Sequence, residues 1–254
     1  MPASWTELCA AAGRAEAVLC DWDGCLALGS RLHPGAVAFL RRVGRIAIVS
    51  NNSTMTRAEC RGQLVAAGIA VASDDIHLAG DVLLREAARQ FAGRPVTLVA
   101  GPAMRREAER LGLCLQGRDA AAVLVLRDPG FDFATLCRAA NQVRDGAAYW
   151  IANPDNMHPV ANGIAPETGA LAASITAAAG RRPDRIIGKP HALLFNRAMT
   201  GLDLQPEALL MIGDNPDTDV KGANALAIHA LLVGRTTWKQ SPGARLCDRD
   251  AETG

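Results

Sequence analysis

Short apolar runs that alternate with helix-patterned segments constrain this chain most. Strand-like runs occupy 17–20, 46–50, 96–100, 121–126, 147–152, 185–187, 208–212 and 227–233. Apolar residues at helical spacing fill 35–43, 57–67, 81–91, 103–111, 133–144, 169–179, 191–200 and 219–226. Strands that alternate with helices predict parallel pairing, because each return to the sheet needs a crossover, and the crossover helices cover both faces. The expected fold class is α/β with a doubly wound parallel sheet. More than half of the 254 residues lie between Ser50 and Lys189. A single strand–helix–strand unit needs only about 30 residues. The excess carries several strands and helices of its own and predicts an inserted second α/β domain. The expected boundaries are 1–79 for the first part of the core, 80–183 for the insertion and 184–254 for the second part of the core.

Several of these runs end abruptly in polar residues. Val18–Leu19–Cys20 leads into Asp21–Trp22–Asp23–Gly24. Side chains two apart on a strand point the same way, so Asp21 and Asp23 project together from a buried strand end. Paired carboxylates repel unless a cation lies between them or one holds a proton. Both conditions suit a metal-assisted enzyme in which one carboxylate attacks and the other shuttles a proton. A second strand ends in Ser50–Asn51–Asn52–Ser53. A hydroxyl followed by backbone N–H groups at such an end holds an anion. Thr54 or Thr56 is expected to cap the next helix, which leaves Ser50, Asn51 and Asn52 for that anion. In Gly188–Lys189–Pro190 the proline stiffens the backbone under Lys189, which suits a fixed positive charge. A last strand ends in Gly213–Asp214–Asn215–Pro216–Asp217–Thr218–Asp219. Asp214 repeats the strand-end placement of Asp21, whereas Asp217 and Asp219 fall in a first helical turn, where acids are favourable for the dipole alone.

In chain order these segments supply paired acids, a hydroxyl, a lysine and further acids. The wording D-x-D-G, S-N-N-S, G-K-P and G-D-x-x-x-T-D resembles the haloacid dehalogenase superfamily of aspartate-nucleophile phosphatases. It is most similar to the branch with a large inserted α/β cap, which includes p-nitrophenyl, pyridoxal and phosphoglycolate phosphatases. The resemblance extends to Leu32–His33–Pro34–Gly35–Ala36, to Asn153–Pro154–Asp155–Asn156–Met157–His158–Pro159 and to Glu167–Thr168–Gly169–Ala170–Leu171. It implies a Rossmann-like core and a Mg²⁺-dependent phosphomonoesterase that works through an aspartyl-phosphate. It implies Asp21 as nucleophile and Asp23 as general acid/base. Mg²⁺ would be held by the Asp21 carboxylate, the Asp23 backbone carbonyl and Asp214, with Asp219 behind them in an outer position. Ser50 and Lys189 would grip the phosphoryl oxygens, with Asn51 and Asn52 beside them. In several members of that branch a histidine at the position of His158 contacts the organic part of the substrate, so His158 is the expected specificity residue. The segment 153–159 reads as a loop, with Asn153 and Asp155 shaping it. Two departures stand out: Cys25 where the family usually has Thr or Val, and Trp22 where it has a smaller apolar residue. Cys25 is the one expected to crowd or sensitise the site.

Composition narrows the alternatives. The net charge is +1, Lys and Arg are scattered, and aromatics make up 4% of the chain. That excludes an electrostatic grip on nucleic acid or a membrane surface, and base-stacking platforms with it. No apolar run reaches membrane-spanning length, and the N-terminus lacks a signal-peptide layout. The seven cysteines form no C-x-x-C pair, which points to a reducing cytoplasm rather than to disulfides or zinc. The expected partner is a small phosphorylated metabolite, with no nucleic acid and no membrane, and a homodimer is the assembly allowed for. The tail from Arg235 onward is polar and expected to be loose. A phosphotransferase or phosphomutase would share the first half-reaction; the large insertion favours hydrolysis. A receiver-type signalling domain also uses a phosphorylated aspartate, but it lacks a second acid two residues on and any insertion of this size.

Overall fold

A computed structural model of the protein describes residues 5–28, 31–115, 119–160 and 163–233. The polar tail from Arg235 lies outside them. The described residues form two compact units. The first takes in the chain through Ser50, Ala58–His77 and the residues from Phe195 onward; the second takes in Asn51–Arg57 and Leu78–Leu194.

The first unit is built on a five-stranded sheet in the order His229–Leu232, Leu209–Gly213, Ala17–Cys20, Ile46–Ser50, Ile76–Leu78. Ala17–Cys20 is central and runs parallel to both neighbours, with Cys20 opposite Ile212 on one side and Ile48 on the other. All its residues are buried, as are all those of Ile46–Ser50 and Leu209–Gly213. A parallel strand covered on both faces needs such unbroken apolar sequence. Trp22, Phe39, Leu64 and Phe195 are fully enclosed, and each such side chain stabilises the fold by roughly 1.5–3 kcal/mol. Trp22, the bulky residue of the first motif, is therefore a core residue. The sheet grows outward from Ala17–Cys20 in both directions, so the chain order reverses between that strand and Leu209–Gly213. At such a switch point the crossovers leave to opposite faces and open a crevice beyond the carboxyl ends of the strands.

The second unit has its own parallel sheet, in the order Arg185–Ile186, Ala148–Ile151, Ala122–Val125, Val96–Val99. Helices Ala79–Gln90, Pro102–Arg110, Phe133–Arg144 and Thr168–Ala179 belong to this unit. The Asp132 side chain caps the third of these on the N–H of Thr135, and Gly180 ends the last in the left-handed conformation. Val123, Val125, Val143, Tyr149 and Ile175 form its core, where the Tyr149 hydroxyl donates to the carbonyl of Ala172 at 2.8 Å. The segment read as a loop over 153–159 is irregular only to Asn156. Met157–Val160 pairs antiparallel with Gly163–Pro166, with His158 opposite Ala165. Prolines at 159 and 166 disguise this hairpin, since a two-stranded ribbon has only edge strands, where proline is tolerated. No described helix is long and apolar enough to cross a membrane.

Candidate active site

The acids of the first unit meet at its switch point. The N–H of Asp21 donates to the carbonyl of Ile212 at 2.9 Å, which continues the strand ladder by one residue and places Asp21 level with Gly213. The chain then turns. The N–H groups of Leu26 and Ala27 return to the carbonyl of Trp22, and Gly24 donates to the carbonyl of Ala27 at 2.8 Å. Gly24 has φ +81°, a conformation that costs a residue with a Cβ about 1–2 kcal/mol. A Cβ at this position would also run into the carboxylate of Asp214. Gly213 is constrained in the same way, because a Cβ there would meet the carboxylate of Asp219. Both glycines of the motifs thus make room for acids.

Carboxylate oxygens of Asp21, Asp214 and Asp219 lie within 4.8 Å of one another. Asp21 and Asp219 are buried and Asp214 is exposed. Asp219 sits in the wide helical turn Pro216–Val220, where its Oδ2 accepts the N–H of Asn215 at 3.1 Å. Asp219 therefore stands in the same cluster as the strand-end acids. The Asp23 side chain is exposed and is not a member of this trio. Three carboxylates so close together are an all-oxygen donor set, which suits a hard divalent cation. Two buried sulfurs stand near these acids in sequence or space. Burial, then the charge of Asp21, pushes the Cys20 thiol up to about 12 and the Cys25 thiol upward as well. The Cys25 thiol also donates to the carbonyl of Ile212 at 3.6 Å. Cys25 is thus a fully buried core residue whose surroundings favour the thiol over the thiolate. Ser50 ends the adjacent strand Ile46–Ser50 and is almost fully buried.

In the second unit the amide of Asn51 is committed to the backbone around Lys189. Its Oδ1 accepts the Lys189 N–H at 2.7 Å, and its Nδ2 donates to the Lys189 carbonyl at 3.0 Å and to Asp155 Oδ2 at 2.9 Å. A Cβ at Gly188 would collide with that Oδ1, which explains the glycine of G-K-P. The Asn153 amide donates to the carbonyl of Asn51 at 2.6 Å, and its Oδ1 accepts the N–H of Asp155. Three motifs far apart in sequence are thereby tied into one network that holds Lys189, itself only 1% exposed and next to a cis peptide bond at Pro190. The Asn52 side chain accepts the N–H groups of Thr54 and Met55 and makes a local turn. Of the two asparagines expected beside an anion, Asn51 has its side-chain oxygen and amide engaged by Lys189 and Asp155, and Asn52 has its side-chain oxygen engaged by the turn.

His158 forms a second cluster in this unit. Its Nδ1 lies 2.6 Å from Glu167 Oε1, and its Nε2 lies 3.4 Å from Arg127 Nη2. Arg127 Nη1 is 3.5 Å from the same Glu167 oxygen. Burial raises the Glu167 carboxyl above its usual range, and Arg127 works against that rise. Arg127 is not singled out by the sequence, and Glu167 enters there only as the first residue of the Glu167–Leu171 segment, with no role. The available signal was a basic residue two positions past an apolar strand.

The strand order and this acidic centre define an α/β fold with a carboxylate-lined ligand crevice, and similarity to known proteins agrees. The model for haloacid dehalogenase-like hydrolases matches residues 18–114, and a second HAD-hydrolase-like model matches 186–244. Chronophin from Mus musculus is 32% identical over 238 residues, covering 87% of this chain and 81% of the relative. A p-nitrophenyl phosphatase from Archaeoglobus fulgidus superposes with a TM-score of 0.79 at 25% identity, covering 89% of this chain and 90% of that one. Glycerol phosphate phosphatase from Mycobacterium tuberculosis, solved with magnesium, gives a TM-score of 0.74 at 28% identity, covering 91% of this chain and 70% of that one. The chain belongs to the haloacid dehalogenase-like hydrolases, in the phosphatase branch that carries an inserted α/β domain.

Proposed function

We propose that the protein is a cytoplasmic Mg²⁺-dependent phosphomonoesterase that hydrolyses a small phosphorylated metabolite through an aspartyl-phosphate on Asp21. The meeting of Asp21, Asp214 and Asp219 at the sheet switch point carries this reading. The metal would be held by the Asp21 carboxylate, the Asp23 carbonyl and Asp214, with Asp219 completing the acidic setting. Bound there, it would supply positive charge that offsets the repulsion between a phosphate dianion and the attacking carboxylate.

The chemistry of the chain follows from that placement. A carboxylate oxygen of Asp21 attacks phosphorus, and the bond from phosphorus to the leaving oxygen breaks. Asp23 gives its proton to that oxygen, so the product departs as an alcohol. In the second half Asp23 takes a proton from water as the water attacks phosphorus. The Asp21–phosphorus bond breaks, and inorganic phosphate and the free carboxylate are restored. The exposure of Asp23 suits a group that must reach both a leaving group and a water. Lys189 and Ser50 hold the phosphoryl oxygens as charge builds on them. The Asn51 network fixes the lysine backbone and so the point from which the side chain starts. His158 contacts the organic part of the ester and sets specificity.

A panel of phosphorylated metabolites and p-nitrophenyl phosphate, assayed with Mg²⁺ and with EDTA, tests the reading. Turnover is expected only with the metal and is expected to vanish in Asp21→Asn. Full activity in excess chelator, or substantial turnover by pure Asp21→Asn protein, refutes it.

A further inference from the structure

Asp81 lies in the first turn of helix Ala79–Gln90 and has no solvent exposure. Two arginines meet its carboxylate. Arg85, one turn along the same helix, donates from Nε to Oδ2 at 2.7 Å and from Nη2 to Oδ1 at 3.2 Å. Arg57 reaches Oδ2 with Nη2 at 3.3 Å. The chain of charges goes on from Arg85 to Glu107 at 3.5 Å, and Arg110 closes it with bonds of 2.7 and 2.6 Å to the same glutamate. All five residues belong to the second unit.

The Asp81–Arg85 pair is local, because an acid four residues before an arginine faces it on a helix. The Arg57–Asp81 pair is different, since it joins the helix to a separate segment, Asn51–Arg57. A second contact joins the same two pieces. The N–H of Gly80 donates to the carbonyl of Asn52 at 3.1 Å, and a Cβ on Gly80 would come within 2.8 Å of the Ser53 Cα. The start of the helix therefore grips the segment at Asn52–Ser53 and again at Arg57. From this segment Asn51 reaches out to the Lys189 backbone, and Ser53 Oγ accepts the N–H of Arg127 at 3.1 Å.

Stability alone gives a weak reason for such a pair. Taking a carboxylate and a guanidinium out of water costs about as much as their attraction returns, and apolar residues of similar volume often serve as well. A charge pair differs from an apolar pair in allowing few relative placements. Resting on the phosphatase reading above, we propose that Asp81 is a positioning residue for phosphoryl transfer. Through Arg57, and beside the Gly80 contact, it sets the place of Asn51–Arg57 on the helix, and Asn51 in turn sets the backbone of Lys189.

Replacing the pair together, Arg57→Met with Asp81→Leu, removes both charges and keeps the volume. Arg85 keeps Glu107 as a partner. This variant is expected to melt within about 4 °C of the wild type. Its kcat/KM on p-nitrophenyl phosphate is expected to fall roughly tenfold, chiefly through kcat, as for a small displacement of a group that grips the transition state. In an Asn51→Ala background the same replacement is expected to cost less than about twofold, because the route to Lys189 is already cut. Amide hydrogen exchange in 51–57 is expected to speed up on the order of tenfold, with the strands Val96–Val99 and Ala122–Val125 unchanged. Arg57→Lys keeps the charge without the planar fork. It is expected to lower kcat/KM several-fold at the wild-type Tm, which covers the case in which the paired variant melts early. Wild-type turnover and exchange in both variants overturn the proposal, as do losses that simply follow Tm or that add fully to those of Asn51→Ala. A wild-type protein inert toward p-nitrophenyl phosphate overturns the phosphatase reading instead, and the exchange measurement still judges the tie between Asp81 and the segment.

Discussion

Asn51→Ala is the sharpest probe of how the lysine is held. The substitution removes the acceptor for the Lys189 N–H and the donors to the Lys189 carbonyl and to Asp155, bonds of 2.7, 3.0 and 2.9 Å. Lys189 is 1% exposed, so its released backbone groups find little water. Each bond is worth about 1 kcal/mol net, and a buried group left without a partner costs about 1–3 kcal/mol. A total near 3 kcal/mol would lower Tm by about 6–12 °C in a chain of this size. If the ammonium then drifts by about 1 Å, turnover falls on the order of 100-fold. Asn51→Asp separates geometry from volume. It keeps the acceptor for the Lys189 N–H but sets an oxygen against the Lys189 carbonyl and the Asp155 carboxylate. It is expected to melt below the alanine variant. Thermal unfolding, together with kcat/KM on p-nitrophenyl phosphate, reads both effects. A double-mutant cycle with Lys189→Ala, read in kcat/KM, adds the decisive test: the effect of Asn51 on turnover passes through the lysine ammonium and is lost with it, whereas its bonds to the backbone of residue 189, and so its effect on Tm, remain. An Asn51→Ala protein with wild-type Tm and turnover, or fully additive losses in the cycle, would refute the clamp.

Gly24→Ala is expected to lower turnover at least 100-fold and to raise the Mg²⁺ requirement, since the new methyl enters the space of the Asp214 carboxylate at φ +81°; a metal titration of activity checks this. Native protein treated with iodoacetamide near pH 8 is expected to be labelled at exposed Cys137 well before Cys20, Cys25 and Cys60. Burial raises the Cys20 and Cys60 thiols to about 12 and the Cys25 thiol upward, which disfavours their reactive thiolates near pH 8. Peptide mass spectrometry resolves the order, and early labelling of Cys25 would contradict its enclosure.

Much of this arrangement was legible in the sequence because its strands are buried on both faces. Val18–Leu19–Cys20 and Ile46–Ala47–Ile48–Val49 have no polar interruption to blur them, and the residues that follow each run define the crevice. The α/β class and the insertion followed from that alternation. Three elements hid for physical reasons. Ile76–Leu78 is a three-residue edge strand with His77 at its centre, too short to show a period. The Met157–Pro166 hairpin contains prolines that read as loop. Asp219 lies in a first helical turn, where an acid has an ordinary dipole explanation, so its own position in the sequence did not mark it and only the family resemblance set it behind the metal-holding acids. The Asn51 clamp was out of reach for another reason: nothing local distinguishes an asparagine that binds an anion from one that binds a backbone over a hundred residues away.

The register of the central sheet also fixes when this protein acquires its acidic centre during synthesis. Ala17 pairs with Leu209 and Cys20 with Ile212, so this strand leaves the ribosome nearly two hundred residues before its partner. At about 5–20 residues per second, that partner arrives on the order of 10–40 s later. The sheet of the second unit, closed between Val96 and Ile186, is made entirely within that interval. Until Leu209–Gly213 is made, Asp21 has neither Asp214 nor Asp219 beside it. A nascent or prematurely terminated chain therefore lacks the acidic centre, and the acids assemble only as the last part of the sheet is laid down.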